Sequence, residues 1–380
     1  MPLELDAIVS TAPAPPSGEL ARQPLSVVPP VSITLPVSAA VVPVDKDHFP
    51  LSYSAFNSDP EAAPELHLEL PPNWTYTLPP AVNQPRPTHP PMGRISHGAA
   101  DVKTTDVSPY RPYPITVVAE LDGRSYREGF RSVGYPGLQS TDLYTPSIFH
   151  VAATGLHTAP NLHIAYLPGT GDDVPAYLPD LGIAPTILTL ADLTAAKLAQ
   201  FDAVLLGVRA YAAHPELAGA GSLPLLEYAK NGGVVIVQYN TARYGDADAP
   251  YPISVPGSAD MNVVEEADRV TILAPQSPLL TWPNRITSAD FEGWVEERGH
   301  GFARSWAPEY QPLLEMHDPG QDPEKGGLLV AHTGKGYYIY TALALYRQLP
   351  EGVPGAYRLF ANLLSLGKNP GTASPPPPAK

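Results

Sequence analysis

Residues 162–240 hold four short apolar runs: LHIAYL at 162–167, PTILTL at 185–190, DAVLLGV at 202–208 and GVVIVQY at 233–239. Each is aliphatic or β-branched and bounded by Gly, Pro or Asp, which fits strands buried on both faces. The segments between them carry helix signals. Asp172 and Asp173 precede an expected helix at 174–180, where carboxylates accept free N–H groups and complement the helix dipole. Ala191-Asp192-Leu193-Thr194 opens a second helix, and 223–230 runs into Asn231-Gly232-Gly233, a glycine stop before a strand. Alternating strands and helices predict βαβ units in a parallel α/β sheet, which binds ligands beyond the carboxyl ends of its strands. Asp172 and Asp173 follow the first strand, Arg209, Tyr211 and His214 the third, and Gln238 and Asn240 end the fourth. These seven residues are the candidate ligand-binding set.

Their chemistry excludes several functions. Gly169-Thr170-Gly171-Asp172-Asp173 joins strand to helix as a phosphate loop does. It lacks the third glycine of a dinucleotide loop and the Gly-Lys-Ser/Thr of a P-loop, and its aspartates put negative charge where phosphate would sit. Helix capping explains it more simply. Gly207-Val208-Arg209-Ala210-Tyr211 has the form of a strand-to-helix elbow but offers neither Cys nor Ser, and the chain has no Gly-x-Ser-x-Gly, so triad hydrolysis is excluded. Arg209, Tyr211 and His214 can form a ligand-binding polar cluster, or Arg209 can pair with a carboxylate such as Asp172 to fix the loops. Gln238 and Asn240 suit a sugar or amide, or the satisfaction of loop backbone. His214-Pro215-Glu216 and His317-Asp318 match no metal-ligand pattern, so no metal or other cofactor is expected. Glu292, Glu296 and Glu297, in an expected short helix at 289–298, read as a solvated face with Phe291 and Trp294 buried. Trp74, Trp282 and Trp306 are either sugar-stacking platforms or core and rim residues.

Working outward, the N-terminal side changes character. Residues 1–24 lack apolar periodicity and read as a disordered linker. Short β-like runs follow at 26–28, 31–35, 51–55, 65–70, 113–120 and 126–133, with Asp122-Gly123 as a hairpin signal and a polar, Pro-rich stretch at 82–107. This predicts an immunoglobulin-like β-sandwich over 25–135, then a connector at 136–160. On the C-terminal side, 244–256 reads as a surface loop, 269–273 as a strand, 277–282 as a turn, and 327–331 with 337–340 as an antiparallel pair at the sheet edge. Residues 353–366 carry apolar positions at helical spacing. The α/β domain thus spans 161–368, ahead of a disordered Pro-rich tail at 369–380.

The 380 residues carry a formal net charge of −15 without a basic run, which argues against nucleic acid. The absence of cysteine removes disulfides, thiolate nucleophiles and iron–sulfur ligation. No apolar segment approaches a membrane span, and the first residues do not resemble a signal peptide.

Several longer stretches carry a resemblance: Gly169 to Pro175, Leu206 to Tyr211, Asn231 to Asn240, Trp282-Pro283-Asn284-Arg285-Ile286-Thr287, ADFEGWVEERG at 289–299, and RQLPEGVPGAYRLFAN at 347–362. Together they resemble the C-terminal part of long bacterial PIG-L/LmbE-type (GlcNAc-PI de-N-acetylase family) deacetylases. There, a metal-dependent N-acetyl-sugar deacetylase domain precedes a sandwich-like module and a domain of the class I glutamine amidotransferase type, with a flavodoxin-like sheet. The resemblance covers about 23–370. The catalytic His-Pro-Asp-Asp motif and the amidotransferase cysteine are both absent: His89-Pro90-Pro91 and His214-Pro215-Glu216 lack the aspartates. The resemblance therefore implies a non-catalytic accessory region that recognises carbohydrate or docks a deacetylase domain or subunit, extracytoplasmic if its parent is secreted. The alternative is an enzyme acting on a small sugar or polyol through the seven strand-end residues, with His214 as base beside a carboxylate.

Overall fold

The computed structural model describes residues 29–44, 46–59, 61–80, 82–85, 93–133, 141–241, 244–256 and 262–373. The linker 1–24, the run at 26–28 and the tail residues 374–380 lie outside them. The chain is sheet-rich and divides into two compact units. Met1–Ser38, Lys46–Val107 and Pro112–Val151 make the first; Ala39–Asp45, Ser108–Arg111 and Ala152–Lys380 make the second.

In the first unit, one antiparallel sheet runs Val31–Thr34, His48–Asn57, Arg94–Lys103, Thr75–Thr77, with Val82–Pro85 also on Arg94–Lys103. A second sheet joins Glu65–Glu69, Pro112–Leu121 and Ile148–Thr154, with Arg124–Tyr126 as a hairpin on Pro112–Leu121. Asp122 and Gly123 have φ of 51° and 72°, the left-handed pair a two-residue hairpin turn needs. Alternation fills the core: Phe49, Leu51, Tyr53 and Ala55 point inward from one strand, Tyr113, Ile115 and Val117 from another. Phe49 stacks on Phe149 at 5.9 Å and meets Trp74 edge-on at 6.4 Å. Trp74 is 6% exposed and its indole N–H donates to the Thr105 carbonyl, so it is a core residue rather than a sugar platform.

Two expectations here need correction. The stretch 82–107, read as polar and Pro-rich with no strand assigned to it, contains the ten-residue strand Arg94–Lys103 at the centre of its sheet. Its Gly98-Ala99-Ala100 step has little β character, but a Cβ at Gly98 would lie 2.2 Å from the Tyr53 hydroxyl, so the bulky cross-strand tyrosine requires glycine. The expected connector 136–160 holds Thr141–Pro146, paired antiparallel to Glu128–Val133, and Ile148–Thr154.

The second unit is built on a seven-stranded sheet. Its strands are β1 (Ile164–Leu167), β2 (Thr186–Ile187), β3 (Ala203–Leu206), β4 (Val234–Gln238), β5 (Tyr310–Pro312), β6 (Leu328–Thr333) and β7 (Gly336–Thr341), in the order β2-β1-β3-β4-β7-β6-β5. From β2 to β7 the neighbours are parallel, and β6 and β5 are antiparallel additions. Val204 sits between Ala165 and Val235 in register, and β1, β3 and β4 are buried along their whole length, as their continuous apolar runs require. The β6–β7 hairpin forms, but the three-residue β5 covers it and occupies the edge. The longest helices are α1 (Leu223–Lys230) and α2 (Pro354–Ser365). The helix expected at 174–180 forms as an α turn, Val174–Tyr177, that runs on into a 3-10 turn, Leu178–Leu181, whereas the one expected after Thr194 is a single turn, Ala195–Leu198. The expected helix 289–298 shrinks to one 3-10 turn, Ser288–Phe291, because Gly293 and Glu296 turn left-handed at φ 70° and 64°. Pro370–Ala373, expected to be disordered, forms a 3-10 turn.

Candidate functional site

The carboxyl ends of β1 and β3 are clasped together by backbone. A Cβ on Gly169 would lie 2.0 Å from the Val208 carbonyl oxygen, and one on Gly207 would lie 2.5 Å from the Tyr166 hydroxyl, so only glycine permits the approach. Within it, the Thr170 N–H donates to Val208 O at 2.9 Å and the Gly207 N–H to Leu167 O at 2.8 Å. Asp172 completes the clasp: its Oδ2 accepts from the Tyr166 hydroxyl at 2.7 Å and the Val208 N–H at 2.8 Å, and its Oδ1 from the Val174 N–H at 3.2 Å. Burial and the neighbouring carboxylate raise the Tyr166 pKa, so the phenol stays a proton donor. The Thr170 hydroxyl and the Asp172 carboxylate of the Gly-Thr-Gly-Asp loop are thus engaged by their own chain. Asp173 is exposed at the N-cap position of the next turn, where its side chain makes no capping bond.

The elbow after β3 is real and is occupied by arginine. Arg209 has φ 55° and ψ 37°, its N–H donates to Tyr239 O at 2.7 Å, and its carbonyl accepts from the Ala212 and Ala213 N–H groups at 2.9 and 3.0 Å. The residue is exposed, and among the described residues its guanidinium has no hydrogen-bond or ion-pair partner. The pairing of Arg209 with Asp172 is therefore not formed. Tyr211 is buried, donating to Ser222 Oγ at 2.9 Å while its ring lies 5.1 Å from Tyr244. Asn240 is fully buried: its Oδ1 accepts from the Tyr211 N–H at 3.2 Å and its Nδ2 donates to Gln238 O at 2.9 Å. Gln238 donates to Leu206 O at 3.3 Å, and its buried Oε1 has no partner among the described residues. Gln238 ties β4 to the end of β3, and Asn240 ties the turn Ala210–Ala213 to the end of β4. His214 donates through Nε2 to Pro168 O at 2.9 Å and meets no carboxylate among the described residues. The base required by the enzyme alternative is thus turned to backbone. Of the seven, Arg209 and Asp173 are exposed, Asp172 and His214 are half-buried, and Tyr211, Gln238 and Asn240 are internal.

The sequence reading missed a second polar cluster beside these strand ends. Glu297, expected on a solvated face, is 5% exposed because the left-handed turn at Glu296 rotates it inward. One carboxylate oxygen accepts from Arg347 Nε at 2.6 Å and the Tyr346 hydroxyl at 3.1 Å; the other pairs with His300 Nε2. Arg347 also reaches the exposed Glu296. Burial, and next the Glu297 charge, push the Tyr346 pKa up to about 12. The His300 ring lies 5.6 Å from the Tyr239 ring, one residue past β4. Reading 289–298 as a helix hid the cluster, since the Glu297 to His300 spacing means nothing until the turn is known. Phe291 and Trp294 are buried as expected. Asp290 is buried too, paired with Arg358 at 2.7 Å, and serves packing.

A groove of about 980 Å³ lies at the opposite end of the sheet, where Asp202 and Gly233 lead into β3 and β4 and α1 forms a wall. It is predominantly apolar, and its Asp202 is already paired with Lys368 at 3.0 Å. The polar groups that converge do so at the carboxyl ends. Among the described residues, no group of three or more His, Asp or Glu is placed to hold a metal ion. No helix among them is long and apolar enough to cross a membrane.

No protein-family model matches the chain, and no curated protein does. Solved structures give only weak likenesses. A β-galactosidase from Rahnella sp. R3 aligns at 12% identity and a TM-score of 0.30, over 54% of this chain and 31% of that one. A family 123 glycoside hydrolase from Clostridium perfringens aligns at 9% identity and a TM-score of 0.19, over 60% and 50%. The periplasmic chaperone SfaE aligns at 8% identity and a TM-score of 0.15, over 36% and 66%. The chain thus spans less than two thirds of each of these proteins, and at such scores the likeness assigns neither fold nor function.

Proposed function

We propose that the chain is a non-catalytic accessory module of a PIG-L/LmbE-type N-acetyl-sugar deacetylase and recognises carbohydrate at the carboxyl ends of β3 and β4. On this reading the first unit is an immunoglobulin-like sandwich and the second a class I glutamine amidotransferase-like, flavodoxin-like domain that has lost its nucleophile. One observation carries the reading: the strand-to-helix elbow keeps its left-handed backbone but presents Arg209. An elbow of this kind holds the nucleophile of a hydrolase at positive φ. A guanidinium stays protonated and cannot attack a carbonyl, but its planar fork of N–H donors suits an acetamido carbonyl or adjacent sugar hydroxyls. Tyr239, whose carbonyl accepts from the Arg209 N–H, carries a half-buried aromatic ring that a sugar face can stack on.

The test is calorimetric titration of N-acetylglucosamine oligomers into the purified chain, with an acetate-release assay run with and without divalent metal. The expected result is binding without acetate release, unchanged by metal. Metal-dependent acetate release would overturn the non-catalytic assignment.

A further inference from the structure

We infer that His300, oriented by Glu297, is a ligand-contacting hydrogen-bond acceptor for a hydroxyl of the bound sugar, extending the Arg209 subsite across Tyr239. This rests on the carbohydrate reading and assigns it a second contact of opposite hydrogen-bonding sense. Glu297 is 5% exposed and takes donors from three side chains: Arg347, Tyr346 and His300. A buried carboxylate can only accept, so the Nε2 of His300 must carry the proton it shares with Glu297. In the neutral ring the other nitrogen, Nδ1, is then the acceptor. Among the described residues Nδ1 has no partner, while the His300 side chain keeps 25% of its surface exposed.

A histidine held in one tautomer by a charge-anchored carboxylate is more order than packing needs. Its ring is fixed against Tyr239 at 5.6 Å, and backbone pins it from both sides. The His300 N–H donates to Ala342 O at 2.9 Å, and a Cβ on the adjoining Gly301 would lie 2.7 Å from Asn240 O. Tyr239 is thus joined to two residues of opposite hydrogen-bonding sense: its carbonyl accepts from the N–H of Arg209, whose side chain carries exposed donors, and its ring lies against His300, whose Nδ1 is an acceptor. An amide carbonyl and a hydroxyl flanking an apolar ring face form the hydrogen-bonding pattern of an N-acetylated sugar. The charged groups around His300 are Glu296, Glu297 and Arg347. These are already paired with one another, so they hold the ring and leave recognition to it. Glu297 is accordingly a positioning residue.

The test titrates N,N′,N″,N‴-tetraacetylchitotetraose into the wild type, His300→Ala and Glu297→Gln, alongside ring ¹⁵N NMR of the histidines. The account expects His300→Ala to weaken binding about tenfold, as loss of one hydrogen bond does. The His300 ring should appear as the Nε2–H tautomer, with its Nδ1 resonance shifting on ligand addition. Glu297→Gln should weaken binding less and release the tautomer while keeping the thermal melt cooperative. Binding by the wild type that His300→Ala leaves within twofold overturns this inference and leaves the carbohydrate reading standing. An absence of binding by the wild type overturns both. A fixed Nδ1–H tautomer in the free protein overturns the inference whatever the affinities.

Discussion

Arg209 combines a strained backbone with an exposed side chain. A non-glycine residue at φ 55° is strained by about 1 kcal/mol, and strain is retained where surrounding structure or function requires it. Arg209→Gly should therefore raise stability by about 0.5–1 kcal/mol in urea unfolding while removing the guanidinium. A variant less stable than wild type would mean that Arg209 contributes packing instead. Tyr211 carries the contrary expectation. Its hydroxyl donates to buried Ser222 and touches nothing outside the fold, so Tyr211→Phe should cost about 1 kcal/mol and leave ligand binding unchanged. The sequence named these residues but not their roles. It could place Tyr211, Gln238 and Asn240 after strands, where polar side chains suggest ligands, but whether an amide faces solvent or a neighbouring loop depends on contacts across tens of residues.

Among the elements, the parallel strands were legible because burial on both faces leaves an unbroken apolar run that little else produces. Arg94–Lys103 was not, since its Gly98 answers to Tyr53 on the neighbouring strand instead of to its own β-propensity. The segment 289–298 failed for a related reason. Its apolar spacing is helical, but Gly293 and Glu296 break the helix and deliver Glu297 to His300. The 3-10 turn Ser288–Phe291 packs against α2, and Gly355 is the contact point: a Cβ there would lie 1.9 Å from Asp290 O. Alanine is the better helix former by up to about 1 kcal/mol, but overpacking typically costs about 1–3 kcal/mol. Gly355→Ala should therefore lower stability by about 1–2 kcal/mol, measured by denaturant midpoint. A stabilised variant would show that the turn yields easily.

At the scale of the whole molecule, two sheet-rich units and a mixed sheet closed by β5 agree with a β-rich N-terminal half and a parallel-sheet C-terminal half. The boundary differs from the sequence reading, because 39–45 and 108–111 cluster with the second unit and no compositional shift marks them. That unit should also show a pH signature. Burial raises the Asp180 carboxyl to about 7, although its oxygen accepts from the Tyr357 hydroxyl at 3.1 Å. A carboxyl whose folded pKa lies above its unfolded value binds more protons when folded, so stability falls as pH rises from about 4 to 7. Asp180→Asn should leave stability unchanged near pH 4 and raise it by about 1–2 kcal/mol at pH 8, partial solvent access reducing the full ~1.4 kcal/mol per unit. Equal effects at both pH values would assign the change to packing. The central claim, that an arginine-bearing elbow recognises carbohydrate in place of catalysis, is tested most directly by calorimetric titration of tetraacetylchitotetraose into wild type and Arg209→Gly side by side. The account predicts saturable binding to the wild type and at least a tenfold loss in the variant, which remains folded and more stable. Equal binding by the two proteins, or none by the wild type, would contradict it.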